Sequence, residues 1–286
     1  MIWSCSQSHS SLSKSAISGY EYEVYRSGPG SKPSVDDQVY FKMDIYDDKD
    51  SLLQSYQNQK VLPSVKIVDQ SNPMRKKNPV LDIASFLTVG DSVGIIVPVD
   101  SVPSMPQGYD DIKHIEYHLC VTEILSPEAF KAKVEEDQKI QLAEMERMRD
   151  LIPQVEQQTE EILDQYKAGK LDLLETTNGV KYIIHEKGNG QLPTNDRMVT
   201  MTYYGRTVAD GNRFDDSYNR GRGYTFRLGR GEVIRGWDEA APYLPVGTTA
   251  SIFIPSDLGY GPTGSPPSIL PNSELYFYVT VDEMYY

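Results

Sequence analysis

Phe226-Arg-Leu-Gly-Arg-Gly-Glu-Val-Ile-Arg-Gly-Trp237 carries a strand end, a tight turn and a helix start in one short stretch. Phe226 and Leu228 alternate as one face of a strand, and Gly229 breaks the pattern. Val233-Ile234 then leads to a tryptophan at the mouth of a short helical pattern, Gly236-Trp-Asp-Glu-Ala-Ala-Pro-Tyr-Leu244. A tryptophan placed behind a glycine turn and two bulky aliphatics can form the floor of an apolar pocket. It can equally be a core residue beneath the helix.

On either side of this stretch the pattern is β. Ala209-Asp-Gly211 reads as a hairpin turn, and Glu274-Leu-Tyr-Phe-Tyr-Val-Thr-Val281 alternates as a final strand. Short strands with a single brief helix predict an α+β architecture, an antiparallel sheet wrapped on a small helix.

That unit occurs twice. Gly19-Tyr-Glu-Tyr-Glu-Val-Tyr-Arg-Ser-Gly-Pro-Gly-Ser-Lys-Pro33 lies without a gap on Gly179-Val-Lys-Tyr-Ile-Ile-His-Glu-Lys-Gly-Asn-Gly-Gln-Leu-Pro193. Further on, Ser55-Tyr56 meets Ser217-Tyr218, and Leu87-Thr-Val-Gly-Asp91 meets Leu244-Pro-Val-Gly-Thr248. Val121-Thr-Glu-Ile124 answers Val281-Asp-Glu-Met284. Matched glycines and prolines mark matched turns, so these are two copies of one fold.

Between the copies, Ser126-Pro-Glu128 is a helix start, with Ser as N-cap, Pro at the first helical position and an acid in the first turn. Phe130, Val134, Met145, Met148, Ile152, Val155, Ile162 and Tyr166 recur at helical spacing, and Gly169 ends the pattern. Pro153 is expected to kink or split the helix. The stripe is expected to pack on one domain; dimerisation through it is the alternative. The chain thus divides into a Ser-rich tether (1–18), a first domain (19–125), a helical linker (126–175) and a second domain (176–286).

Its 286 residues fit about two domains, and a net charge of −13 argues against a nucleic-acid partner. Cys5 and Cys120 are too few for a disulfide framework, and Cys120 lies in a strand pattern as an expected buried thiol. Ile2-Trp-Ser-Cys5, followed by a polar Ser-rich run, resembles the end of a bacterial lipoprotein signal, without the basic and apolar regions that precede such a cysteine. On that resemblance Cys5 is a lipidation site, with a lipid anchor to the membrane and an envelope location, periplasmic or at the outer membrane; without it the chain is expected in the cytoplasm. His114 and His118 would stand about 13 Å apart along a strand, too far to share one metal ion.

The second copy gathers bulky residues at strand ends and turns: Tyr203, Phe214, Tyr224, Phe226, Val233, Ile234, Trp237, Tyr260, Ile269 and Phe277, with one acid, Asp215. Together with Asp210-Gly211, Gly259-Tyr-Gly261 and Ile269-Leu-Pro-Asn-Ser273, this series resembles the FKBP-type peptidyl-prolyl cis–trans isomerases from about Gly179 to Met284. The resemblance implies two FKBP-like domains joined by the helical segment, the second catalytic. It implies that Trp237 is the floor beneath a proline ring. Tyr203, Phe214, Tyr224, Val233, Ile234, Ile269 and Phe277 would be walls, with Phe226 also binding substrate. The Ile234 N–H and Tyr260 hydroxyl would donate to substrate carbonyls, and Asp215 would hold a polar edge.

The chemistry agrees with that assignment. Prolyl isomerisation breaks no σ bond and calls for no cofactor and no metal. The barrier is amide resonance, about 18–20 kcal/mol. The twisted amide has lost that resonance and is less polar, so an apolar pocket favours it over the planar form. Tyr224 stands where the family commonly has Phe. Leu270 replaces a proline of the usual Ile-Pro-Pro, which bears on sequence preference and macrolide affinity.

In the first copy Met43 is expected opposite Tyr203, Leu52-Leu53 opposite Phe214-Asp215, Val80 opposite Trp237 and Pro103 opposite Tyr260. Lys76 and Lys77 would stand opposite Val233 and Ile234. That domain is therefore expected to be non-catalytic. The expected function is isomerisation of Xaa-Pro bonds in other polypeptides, assisting their folding, with macrolides as inhibitors. The alternative is a chaperone or scaffold that grips polypeptides without turnover.

Overall fold

The computed structural model describes residues 12–57, 61–101 and 111–285. The chain forms two compact units, 1–136 and 137–286.

The first unit contains β1 (Ser13–Lys14), β2 (Glu21–Arg26), β3 (Gln38–Asp47), β4 (Leu52–Ser55) and β5 (Ser64–Lys66). It continues with α1 (Met74–Lys77), α2 (Pro79–Ala84), β6 (Ser92–Pro98) and β7 (His114–Leu125). The helix α3 (Pro127–Asp150) begins here and continues into the second unit. The second unit holds α4 (Ile152–Lys167), β8 (Leu174–Glu175), β9 (Lys181–Glu186), β10 (Met198–Thr207), β11 (Arg213–Asp216) and β12 (Tyr224–Arg227). After these come α5 (Arg235–Ala240), β13 (Thr249–Ile254) and β14 (Leu275–Tyr285).

Each unit has a seven-stranded sheet in which the assigned pairings are antiparallel. The order is β1-β2-β6-β7-β3-β4 with β5 on β3 in one, and β8-β9-β13-β14-β10-β11 with β12 on β10 in the other. The two topologies agree strand for strand, and so do their irregularities. A register shift falls between Tyr40 and Phe41 in β3 and between Thr200 and Met201 in β10. The Gly90 N–H donates to the Val121 carbonyl and the Val121 N–H to the Asp91 carbonyl, as the Gly247 N–H donates to Val281 and the Val281 N–H to Thr248.

The shared glycines have a shared cause. A Cβ on Gly28 would stand 2.0 Å from the Val89 carbonyl oxygen, and one on Gly188 would stand 2.2 Å from that of Val246. Only glycine allows the strand to cross that loop so closely.

Ladder register refines the correspondence between copies. Met43 pairs with Leu119 as Tyr203 pairs with Val279, as expected. The hairpin strand is displaced by one residue. Gln54 sits opposite Ile45 where Asp215 sits opposite Gly205, and Ser55 opposite Asp44 where Asp216 sits opposite Tyr204. Leu53 and Gln54, not Leu52 and Leu53, therefore hold the places of Phe214 and Asp215. Likewise Tyr56, not Ser55, bonds back to Met43 as Ser217 does to Tyr203. Counted from the helix start, the buried third residue of α2 is Leu81, which holds the place of Trp237 in α5; Val80 is one residue early. Pro103 lies outside the described residues, as does Cys5.

Two further expectations are redrawn. Ser13–Lys14 pairs with β2, and Ser15 donates to the buried Asp82 carboxylate, so the first unit begins before residue 19. Asp82 also holds Arg75 of α1 at 2.9 Å in a buried pair, so this one carboxylate fastens both α1 and the N-terminal turn to α2. Cys120 is half-buried, with the Arg26 guanidinium 3.6 Å from its sulfur.

The helical segment breaks at Leu151, two residues before Pro153, which lies in the first turn of α4 where its missing N–H costs nothing. Met148, Val155, Ile162 and Leu163 bury themselves with Tyr204, Tyr218, Phe253, Tyr276 and Tyr278, the outer face of the second sheet. Tyr166 stacks on Phe253 at 3.7 Å and donates to Glu274 at 2.6 Å. Over this stretch the stripe is core of the second unit.

Candidate functional site

On the opposite face of the second sheet, α5 closes a core built from Val199, Met201, Phe226, Leu228, Ile252 and Val279. Gly236 makes the close seat: a Cβ there would lie 2.3 Å from Ile254. The approach to the helix is braced by acids. Gly229 and Gly231, both at positive φ, donate to the Asp238 carboxylate at 2.8 and 3.2 Å, while Glu232 accepts from the Arg227 N–H at 2.9 Å. These contacts fix the loop that delivers Val233, Ile234 and Trp237 to one place.

There the structure opens a cavity of about 300 Å³, lined by Tyr203, Phe214, Asp215, Tyr224, Glu232, Val233, Ile234, Trp237, Tyr260 and Phe277. Trp237 is 4% exposed and forms its floor. Tyr203 and Phe277 stand edge-on to the indole at 5.1 and 5.4 Å, and Phe214 stands edge-on to Phe277 at 5.4 Å. Tyr224 and Tyr260, 45% and 40% exposed, stand at the rim.

Nine of the eleven residues expected at the site line this cavity. Phe226 and Ile269 do not. Phe226 is fully buried beneath the floor, 5.6 Å from the indole, and Ile269 is in the core, its N–H and carbonyl both bonded to Ser265. Both support the cup from behind. Glu232, which immediately precedes Val233-Ile234, also lines the cavity and is not among the residues expected at the site.

The polar edge is a three-residue network. Tyr203 donates its phenolic hydrogen to Asp215. Arg220 donates to the other Asp215 oxygen at 2.9 Å and to the Tyr203 hydroxyl, its guanidinium 5.4 Å from the centre of the tyrosine ring. Burial first, then the Asp215 hydrogen bond, push the Tyr203 hydroxyl well above the usual tyrosine range. Burial, then Asp215, also raise Tyr260. Both phenols remain donors at neutral pH. Arg220 was also passed over in sequence; its place five residues after Asp215, at the end of a turn, was the signal.

Among the described residues the Ile234 N–H and the Tyr260 hydroxyl, both on lining residues, have no protein acceptor, and the indole Nε1 of Trp237 is buried without one. A narrow aromatic cup with fixed donors at its edge can hold a compact apolar ring and the carbonyls beside it. Among the described residues no cluster of three or more His, Cys, Asp or Glu side chains is placed to hold a metal ion. His114 and His118 instead both face Glu116, at 3.6 and 3.0 Å.

Such a cup suits an enzyme that lowers the barrier to amide rotation. The family of FKBP-type peptidyl-prolyl cis–trans isomerases matches residues 189–282. The chain is 43% identical over 100 residues to a peptidyl-prolyl cis-trans isomerase of Schizosaccharomyces pombe, across 35% of this chain and 88% of that one. Identity is also 43% over 100 residues to the Drosophila melanogaster peptidyl-prolyl cis-trans isomerase Fkbp12, across 35% and 92%. The peptidyl-prolyl cis-trans isomerase Mip of Coxiella burnetii is 41% identical over 104 residues, across 36% and 44%. The chain belongs to the FKBP-type peptidyl-prolyl cis–trans isomerase family, with two FKBP-like domains joined by a helical linker.

Proposed function

We propose that the second domain isomerises Xaa-Pro bonds in other polypeptides at the Trp237 cup, and that the first domain is non-catalytic. The observation that carries this is the open cavity beside the Trp237 indole, ringed by Tyr203, Phe214, Val233, Ile234 and Phe277. In this reading the proline ring rests on Trp237, the Ile234 N–H and Tyr260 hydroxyl hold flanking carbonyls, and Asp215 keeps the polar edge. The apolar floor favours the twisted, less polar amide, and the fixed donors hold the chain in a geometry that rotates readily. Slow Xaa-Pro isomerisation retards folding by tens of seconds, which gives such catalysis its use. The test is cis-to-trans conversion of a proline tetrapeptide by the full chain. Trp237→Ala and Tyr260→Phe should slow it, and a rate equal to the uncatalysed one would reject the reading.

The same cup is the proposed site for macrolide inhibitors, since one relative is named FK506-binding protein 1. Tyr224 and Leu270, the two departures from the usual pattern, stand exposed and would modulate that affinity.

A chaperone role without turnover is favoured by one observation, that Leu81 and Gln54 stand in the first domain where the second has its tryptophan and its acid. It predicts that the chain suppresses aggregation of an unfolded client equally well in Trp237→Ala. For location, we propose a lipid at Cys5 and an envelope site, supported by Ile2-Trp-Ser-Cys5 and the polar run after it. Labelled palmitate that enters the wild type but not Cys5→Ala is the expected result.

A further inference from the structure

The turn that carries Arg220 is held from outside by the helix α3. Tyr218–Arg220 is a short 3₁₀ turn closed by Gly221 in the left-handed conformation, φ +67°. Inside the second unit, α3 lies directly on this glycine. A Cβ there would fall 2.6 Å from both the Cα and the Cβ of Met145. One helical turn on, Met148 packs in the same core as Tyr218, and Arg149 reaches the Asn219 carbonyl in a long bond of 3.4 Å. Thus Asn219 and Gly221, the two chain neighbours of Arg220, both lie against α3, and Tyr218 shares a core with it.

From the other side the turn is fastened to the site. The Ser217 N–H donates to the Tyr203 carbonyl at 2.9 Å, and its hydroxyl accepts from the Tyr203 N–H at 2.8 Å. Asp216 receives Asn219 through its backbone N–H at 2.7 Å and its side chain at 2.9 Å. Arg220 itself points back to Asp215 and Tyr203. The turn is therefore clamped between the helix and the two residues that form the polar edge of the cup.

The geometry points to Met145 as a positioning residue for the isomerase site, acting through Gly221 and Arg220 on Asp215 and Tyr203. This rests on the functional reading above and adds to it a component outside the cup. Met145 touches no substrate. It sets where the guanidinium sits, and the guanidinium sets the direction of the carboxylate and the phenol. A stem carried on a rigid helix is suited to that task, because the packed core beneath it resists displacement.

The test is a double-mutant cycle in the full chain with Met145→Ile, which adds a branch at the Cβ that faces Gly221, and Arg220→Ala, read as kcat/KM on a proline tetrapeptide. In the wild-type background Met145→Ile should crowd the turn at Gly221 and lower kcat/KM roughly fivefold; in the Arg220→Ala background it should change it by less than about twofold, because the guanidinium it acts through is gone. Equal losses in both backgrounds would overturn the assignment, since a helix that merely stabilises the fold acts with or without Arg220. A second readout does not depend on turnover: the Arg220 Nε–Hε resonance, assigned by its loss in Arg220→Ala. It should shift in Met145→Ile while the melting temperature stays near the wild type, and an unmoved resonance would equally sink the idea. A chain with no isomerase activity but a shifted resonance would remove the functional reading and leave the clamp in place. Gly221→Ala, which forces the turn off the helix, should shift the same resonance, and an unshifted one would count against the clamp.

Discussion

The Tyr203 ring meets the Trp237 indole edge to face, centroids 5.1 Å apart and planes at 86°. The contact joins a sheet residue to a helix residue, and it ties the polar edge of the cup to its floor. A perturbation of either ring therefore reaches both the apolar surface and the hydrogen-bond network.

Trp237→Ala should cost about 3–5 kcal/mol of stability as well as activity, because a large buried ring leaves a void. Trp237→Phe keeps a ring and is the cleaner probe. It is expected to fold and to lose roughly tenfold in kcat/KM, about 1.4 kcal/mol of transition-state stabilisation. The chain holds only one other tryptophan, Trp3. Macrolide or proline-peptide binding should alter the emission of the wild type and leave that of Trp237→Phe unchanged.

Gly205→Ala should close the cup without touching a polar group. Its Cβ would lie 2.9 Å from Phe214 and 3.0 Å from Phe277, two walls of the cavity. We expect macrolide binding, followed by calorimetry, to weaken at least tenfold, about 1.4 kcal/mol, with the fold retained.

Alkaline pH should destabilise the second unit. Tyr166, Tyr203, Tyr218 and Tyr276 are all raised above the ordinary value of 10.0, burial being the largest cause in each, with Glu274 and Asp215 adding to it at Tyr166 and Tyr203. A phenol whose folded value lies above its unfolded one contributes fully below pH 10, and the contribution drains away as pH rises towards the folded value. The melting temperature should accordingly decline above about pH 10, and Tyr203→Phe should shallow the decline.

Asp82→Ala should unfold the first unit and spare the second. It strands Arg75 as a buried cation without its carboxylate, a loss of about 3–5 kcal/mol. Replacing both residues, with Arg75→Met and Asp82→Leu, is expected to recover much of that. Burial pushes the Asp82 carboxyl up, but hydrogen bonds from Ser15, Ser18 and Arg75 outweigh it and leave the group lowered. Its contribution is thus present above the ordinary aspartate value of 3.8 and fades as pH falls through the folded value. Isomerase activity of Asp82→Ala at 25 °C should match the wild type.

The twofold plan was legible because close backbone crossings demand glycine, and Gly28 and Gly188 make the same crossing. The floor and most walls were legible for a related reason: Val233, Ile234 and Trp237 are fixed by one turn, so spacing along the chain becomes spacing in the cup. The one-residue displacement at Leu53 and Gln54 was not, because the first copy turns between Asp47 and Ser51 and the second between Thr207 and Asn212, and identity alone cannot place that difference. Ile269 was expected as a wall and Phe226 as a substrate contact because the signature marks residues near the site without separating those facing it from those behind. Arg220 was missed because its role depends on a turn that brings it back across the Tyr203 ring.

The sheaf of tyrosines beneath α3 and α4 has a practical bearing on how the enzyme can be excised. A fragment cut just ahead of Leu174 would uncover Tyr204, Phe253, Tyr276 and Tyr278, which the native chain keeps dry under Met148, Val155, Ile162 and Leu163. The smallest portable isomerase in this protein thus starts upstream of Met145, and the segment that looks like a tether between modules travels with the machinery it backs.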